Sequence, residues 1–176
     1  MYMRYLKFAL LGVAFGMIII SALNQVNATE PEAPPPPRDI PGITTGDVFP
    51  SGCVSCHLNF ADKNMDTRIS TLLIGWQENV NPKLLEKAQA ASAEGLVLLG
   101  KHPATTESLS DIPLACIECH NSMSQRAPFF GQMIHLIHLT GGQDNNYMTL
   151  FQGECTYCHK LNRNTGYWFI PSGGEK

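Results

Sequence analysis

The pattern Cys-x-x-Cys-His occurs three times in this chain, and each copy places two reactive thiols beside a metal-binding imidazole. The first, second and third motifs are Cys53-Val54-Ser55-Cys56-His57, Cys116-Ile117-Glu118-Cys119-His120 and Cys155-Thr156-Tyr157-Cys158-His159. In this pattern two thiols add to the vinyl groups of a haem, and the adjacent histidine supplies one axial nitrogen to its iron. The motifs use all six cysteines of the chain. The sequence therefore predicts three covalently bound haem c groups.

The histidine count agrees with this prediction. Three of the six histidines belong to the motifs, and the other three are His102, His135 and His138. A six-coordinate haem iron needs a second axial ligand, so the simplest assignment makes these three the distal ligands. Bis-histidine irons carry electrons and leave no coordination position for a substrate. We therefore expect an electron carrier and not an enzyme.

Other interpretations of these residues stay open at the level of sequence. A Cys-x-x-Cys pair also occurs in zinc sites and redox-active dithiols. The three extra histidines could be ordinary loop or core residues. A thioether could replace a distal histidine, which would raise the potential of that haem. The candidates for such a ligand are Met65, Met123, Met133 and Met148.

The segments that must position the histidines have the pattern of short helices joined by coil. We predict a mainly α fold with extensive coil and little or no β-structure, whose core is the haem stack. Each motif is expected on a short helical turn, which places both thiols and the histidine on one side. After the first motif, Asp66 or Thr67 can cap a helix whose apolar residues recur at helical spacing. These residues are Ile69, Leu72, Leu73 and Trp76.

Caps and helix breakers place the next helix and the loop after it. Asn81 and Pro82 favour a helix start, with Asn81 as the N-cap, and this helix is expected to end near Gly95. His102 lies immediately before Pro103, which disfavours helix at the preceding residue. We therefore expect His102 to be presented from a loop.

A further helix is predicted from Pro128 to Leu139, because proline suits its start and Thr140-Gly141-Gly142 suits its end. His135 and His138 are three residues apart on this helix. Their side chains therefore leave the axis about 60° apart and roughly 4.5 Å apart along it. This spacing suits neighbouring side chains that reach two different haems.

The first 28 residues have the pattern of an export signal. Arg4 and Lys7 form a positive start, an apolar run follows, and small residues end at Ala28. We predict export to the periplasm or the cell exterior with cleavage after Ala28; the alternative is an uncleaved anchor in the cytoplasmic membrane. Residues 29–47 form a proline-rich linker. Residues 48–176 form the predicted haem domain.

The charge balance bears on the partners. The chain carries 12 basic and 15 acidic residues, a net charge of −3, and haem propionates would add negative charge. An acidic surface argues against nucleic acid and favours redox proteins with basic docking patches.

Residues 116–159 resemble part of the decahaem outer-surface cytochromes of metal-reducing bacteria. The resemblance lies in the second motif followed by Asn121, the element Met133-Ile134-His135-Leu136-Ile137-His138, and the third motif. It implies that His135 and His138 are distal haem ligands. It covers about a quarter of the chain, which has three haem motifs and not ten. Terminal metal reduction therefore does not follow from it.

Together these features predict an exported trihaem c-type cytochrome that carries electrons between a membrane-side donor and a reductase or other acceptor. One alternative is an electron-conduit subunit of a larger cytochrome assembly. A haem reductase is a weaker alternative, because it would require an iron with an open position.

Overall fold

The computed structural model describes residues 34–104 and 109–175. This part of the chain is mostly helical with little sheet, which confirms the prediction of a mainly α fold. Its helices are α1 Cys53–Cys56, α2 Ile69–Glu78, α3 Pro82–Ala90, α4 Leu114–Cys119, α5 Phe130–Leu139 and α6 Asn146–Leu150. Short 3-10 turns span Ala61–Lys63, Gly142–Asp144 and Cys155–Tyr157.

The sheet structure is limited to two antiparallel hairpins within the described residues. In the first, β1 Asn59–Phe60 pairs with β2 Met65–Asp66, and in the second, β3 Lys160–Leu161 pairs with β4 Trp168–Phe169. Each hairpin directly follows a motif, so each one turns the chain back immediately after a motif histidine.

Helix α2 begins at Ile69, close to the predicted start. The Asp66 carboxylate accepts hydrogen bonds from the Arg68 backbone N–H at 3.1 Å and from the Thr71 hydroxyl at 2.8 Å. Asp66 therefore ties the strand β2 to the first turn of α2 from outside the helix, and Arg68 occupies the N-cap position. The two bonds of this carboxylate join the segment after the first motif to the start of α2.

Helix α3 starts as predicted but is shorter. The Asn81 side chain accepts from the Lys83 N–H at 2.9 Å, and Pro82 is the first helical residue. The helix ends at Ala90 and not near Gly95. The next carbonyl, that of Ala91, accepts from the Phe129 N–H at 2.9 Å. This long-range bond joins the end of α3 to the start of α5. A local sequence pattern does not predict such a bond.

Helix α5 begins at Phe130, two residues after the predicted Pro128, and ends at Leu139 as predicted. The residues just before it contact the second motif, because the Pro128 carbonyl lies 2.9 Å from His120 Nδ1. At the other end, the Lys87 ammonium donates to carbonyl oxygens of the last turn at 3.1 and 3.2 Å. A cation at a helix C-terminus is favourable because the terminal carbonyls carry partial negative charge.

The polypeptide encloses a small apolar core. The buried hydrophobic residues of the described chain are Val54, Leu73, Ala91 and Ile112. Large apolar side chains are instead well exposed, among them Ile74 at 64% and Leu150 at 71%. For a chain that is 44% hydrophobic, the protein atoms alone cover little of the apolar surface.

The compact unit that contains the motifs begins at Arg38, upstream of the sequence-based boundary at residue 48. Arg38 forms an ion pair with Glu154, and Asp47 forms one with Lys160. Residues 34–37 are exposed prolines. The predicted signal or anchor, residues 1–28, and the start of the linker lie outside the described residues. Within residues 34–104 and 109–175, every helix is too short or too polar to cross a membrane.

Candidate haem-binding sites

Each motif histidine faces one of the three remaining histidines across a similar gap. We name these pairs after the motif that each contains. The ring centres lie 6.2 Å apart in the first pair, His57 with His138; 5.9 Å apart in the second, His120 with His102; and 6.0 Å apart in the third, His159 with His135. The fold therefore brings all six histidines together in pairs, and every pair joins a motif to a histidine from elsewhere in the chain.

These separations fit two imidazoles on opposite sides of one iron. A histidine nitrogen lies about 2.0 Å from a bound transition metal and about 1.2 Å from its own ring centre, which places two such ring centres about 6.4 Å apart. The three observed values lie between 5.9 and 6.2 Å. The residues present thus fit a bis-histidine haem at each motif.

The pairs differ in how their ring planes are turned. The two planes are nearly perpendicular in the first pair, at 87°, and nearly parallel in the second, at 10°. The third pair is intermediate at 42°. The three sites are therefore not copies of one another, although their motifs are alike.

In the first pair both rings are held through Nδ1. His57 Nδ1 lies 2.7 Å from the Thr67 carbonyl oxygen, and His138 Nδ1 lies 3.0 Å from that of Ile134. A carbonyl oxygen can only accept, so each Nδ1 must carry the proton and donate it. Each Nε2 is then left with a free lone pair, which is the form that binds a metal.

The second pair is held in the same way by different elements. His120 Nδ1 donates to the Pro128 carbonyl at 2.9 Å, and His102 Nδ1 donates to the Pro103 carbonyl at 2.8 Å. His102 lies on a loop, as predicted, and its backbone N–H donates to the Trp76 carbonyl at 2.8 Å. Helix α2 therefore anchors the loop that carries His102.

The third pair is the least enclosed. His135 is exposed and His159 is half-buried. Over the described ranges, neither ring nitrogen of either residue has a hydrogen-bond partner. Helix α5 alone orients His135, whereas His159 follows the turn Cys155–Tyr157.

Burial favours the neutral form of three of these histidines. It lowers the pKa of His120, His138 and His159, because an imidazolium loses hydration when it is buried. Metal binding requires the neutral ring, so one histidine in each pair is held in the binding form at neutral pH.

The thiols argue against a redox-active dithiol. All six cysteines are free, and they lie on α1, α4 and the turn Cys155–Tyr157 together with the residue that follows it. Burial is the main cause that raises the pKa of Cys53, to about 11, and it also raises those of Cys56, Cys116 and Cys158. A reactive dithiol needs a lowered pKa.

The donor sets also differ from a protein-only metal site. Within the described ranges, no group of three or more His, Cys, Asp or Glu side chains is gathered where it could hold a metal ion. Each pair offers two nitrogens, which is the number that an iron already bound to four porphyrin nitrogens takes from the protein. Of the candidate thioether ligands, Met65 and Met123 are 45% and 83% exposed.

Aromatic side chains close one side of the first pair. The Tyr147 ring meets the His138 ring edge-on at 5.4 Å, and Phe151 stacks on Tyr147 at 5.9 Å. The Tyr147 hydroxyl donates to the Glu154 carbonyl at 2.5 Å. Burial, followed by nearby thiols, raises the pKa of Tyr147, so it stays a neutral donor. These rings therefore cover one side of the His138 ring.

No family model, curated protein or solved structure matches this chain. The resemblance of residues 116–159 to the decahaem cytochromes therefore stays a prediction.

Sequence reasoning missed the groups that orient the rings, because most of them are backbone carbonyls. The carbonyls of Thr67, Pro103 and Pro128 are chosen by loop shape, and any residue carries one. The Ile134 carbonyl could have been found, since it lies four residues before His138 on a predicted helix.

Proposed function

We propose that this protein is an exported trihaem c-type cytochrome that carries electrons through three covalently bound, bis-histidine haems. The observation that carries the proposal is the pairing of every motif histidine with one non-motif histidine at 5.9–6.2 Å. A motif alone predicts attachment. A second histidine at the axial distance would fill the remaining coordination position of the iron, so that no substrate could bind there. In two of the pairs the Nδ1 of this histidine already donates a hydrogen bond.

The residues assigned to each group follow from the pairs. Cys53 and Cys56 would attach the first haem, with His57 and His138 as axial ligands. Cys116 and Cys119 would attach the second haem, and Cys155 and Cys158 the third. The axial ligands would be His120 with His102 in the second, and His159 with His135 in the third. When bound, each haem supplies an iron that changes between the ferric and ferrous states.

The chain's own contribution is positioning, exclusion of water and tuning of potentials. The Nδ1–H bonds of His57, His102, His120 and His138 orient the rings and make each Nε2 a stronger donor. Two histidines favour lower potentials than a His–Met pair would. Because His135 and His138 leave one helix three residues apart, two haems would be held side by side, as electron exchange between them requires.

The small protein core supports the same proposal. Four hydrophobic residues are buried in the described chain, while many large apolar side chains remain exposed. Three porphyrins have large apolar faces, and burying those faces against such side chains would supply the missing hydrophobic stabilisation. The haems would then form much of the core.

The proposed setting is outside the cytoplasm, where c-type haem is attached. The partners would be a membrane-side electron donor and a reductase or other acceptor protein. The acidic balance of the chain suits partners with basic docking patches.

The decisive experiment is expression of the full chain in a host that attaches c-type haem. Mass spectrometry of the denatured protein should show three covalent haems, and the optical spectrum should be wholly low-spin. His138→Ala should keep all three haems and convert one to high spin. Gln132→Ala, an exposed position on the same helix, should leave the spectrum unchanged.

Two results would overturn the proposal. A chain that matures with fewer than three haems would contradict the attachment sites. A high-spin fraction in the unaltered protein, or capture of cyanide without delay, would indicate an open iron and would favour a haem reductase.

A further inference from the structure

Lys160 is a buried cation directly after the third motif. Its residue is 8% exposed, and its ammonium donates to the Asp47 carboxylate at 2.8 Å and to the Thr156 carbonyl at 2.7 Å. Asp47 is more accessible, with 27% of its side chain exposed. The bond to Asp47 joins residues far apart in the chain, and the two bonds together fix the positive charge at one place.

Stability alone is a weak reason for such a pair. Removing an ammonium and a carboxylate from water costs several kcal/mol per ion, and their mutual attraction offsets this cost only in part. An apolar pair of similar size often stabilises a protein as well or better. The fixed charge also changes the electrostatic potential at nearby groups.

The ammonium of Lys160 lies against the third motif. The carbonyl that accepts from it belongs to Thr156, which lies between the two cysteines of that motif. Lys160 itself directly follows the motif histidine, His159.

The neighbouring ion pair does not cancel this charge. Glu154, buried at 9% exposure, accepts from the Thr156 N–H at 3.3 Å and from its hydroxyl at 3.1 Å, and it pairs with Arg38. This carboxylate already has its own cation. Lys160 therefore has Asp47 as its ionic partner among the described residues.

We propose that Lys160 and Asp47 are positioning charges that set the reduction potential at the third motif. The inference rests on the proposed function. Each reduction adds one electron, delivered by a reduced redox protein, and so lowers the charge at the iron by one. A fixed cation stabilises that change and raises the potential, whereas the Asp47 carboxylate opposes it.

The test is a haem-resolved redox titration of the mature protein and two charge-removal variants. Lys160→Met should lower the midpoint potential of the third haem, and Asp47→Asn should raise it. The first and second haems should shift less. Lys160→Arg should keep potentials near those of the unaltered protein. The matched control is Lys83→Met, because the Lys83 side chain is 83% exposed and should leave all three midpoints unchanged.

The opposite signs separate electrostatics from damage. If both variants shift the midpoints in the same direction, or if neither shifts them, the inference is overturned. Should Lys160→Met fail to mature, Asp47→Asn decides alone, and an unchanged midpoint there counts against the inference. A protein with three low-spin haems and unshifted midpoints rejects only this inference. A protein without covalent haem rejects the proposed function itself.

Discussion

The first and third pairs are built differently from the second. Helix α5 supplies one histidine to each of the first and third pairs, so one helix places both of these histidines at once. The second pair takes His102 from a loop, which is held by a backbone bond to Trp76 and by the contact of its ring with the next residue. The difference shows two ways to hold a histidine opposite a motif histidine, by a shared helix or by a hydrogen-bonded loop.

His135 and His138 are held on one helix, so the first and third pairs should respond jointly to changes in α5. The second pair should respond to changes in the loop and in the end of α2.

The largest effect is expected from Leu136→Pro, which lies between His135 and His138. Proline inside a helix removes a backbone hydrogen bond and clashes with the preceding turn, at a cost of about 3 kcal/mol or more. Two of the three haems should lose their distal ligand and become high-spin, while the second stays low-spin. Magnetic circular dichroism can count the high-spin fraction.

The control for this change is Leu136→Ala, which keeps the backbone bond and should preserve all three low-spin haems. A single high-spin haem in Leu136→Pro would show that the two ligands are held independently. Loss of all three would show that the second site also depends on α5.

The ring angles predict a spectroscopic difference without any mutation. Nearly perpendicular rings, as in the first pair, interact equally with two iron d orbitals and leave them close in energy. Nearly parallel rings, as in the second pair, separate those orbitals. Electron paramagnetic resonance of the oxidised protein should therefore show one strongly anisotropic low-spin signal and one rhombic signal. Three identical signals would contradict the ring geometry.

A smaller effect is expected from Pro103→Gly, which loosens the loop next to His102. Replacing proline with glycine adds conformational freedom worth about 0.4–1 kcal/mol or somewhat more. The second haem should stay low-spin on average but should bind added cyanide several-fold faster, because its ligand dissociates more often. Pro41→Gly, in a loop away from His102, serves as the control. Faster binding at the first or third haem instead would contradict the comparison.

The smallest effect concerns the acid sensitivity of the first site. The Arg68 guanidinium beside Asp66 holds the pKa of that carboxyl well below its usual value. A depressed folded pKa adds stability above the unfolded value of 3.8, and that stability is lost as the pH falls through the folded pKa. Asp66→Asn should therefore reduce the acid dependence of unfolding below about pH 5.

The measurement is urea unfolding over a series of pH values. Asp62→Asn, an exposed acid on the neighbouring turn, should keep the acid dependence of the unaltered protein. Equal pH profiles for Asp66→Asn and the unaltered protein would show that the bonds from Arg68 and Thr71 contribute nothing to acid stability.

The features that depend on residues close together in the sequence could be predicted from the sequence alone. Helical spacing, the Asn81 cap and the breaker after Leu139 are local patterns, and the structure confirms all three. The loop position of His102 followed from the proline after it. The set of candidate ligands also came from sequence alone, since it needed only the motifs and a count of histidines.

The pairing of the histidines and the positions of the charges beside them are seen only in the folded chain. His57 and His138, or Asp47 and Lys160, are far apart in the chain, and no periodicity connects them. His138 lies on α5, which packs against α3, and Asp47 lies in residues 38–47, which contact the third motif through the bond to Lys160. Such contacts depend on the summed fit of many surfaces, so local spacing predicts the ligands but not their partners.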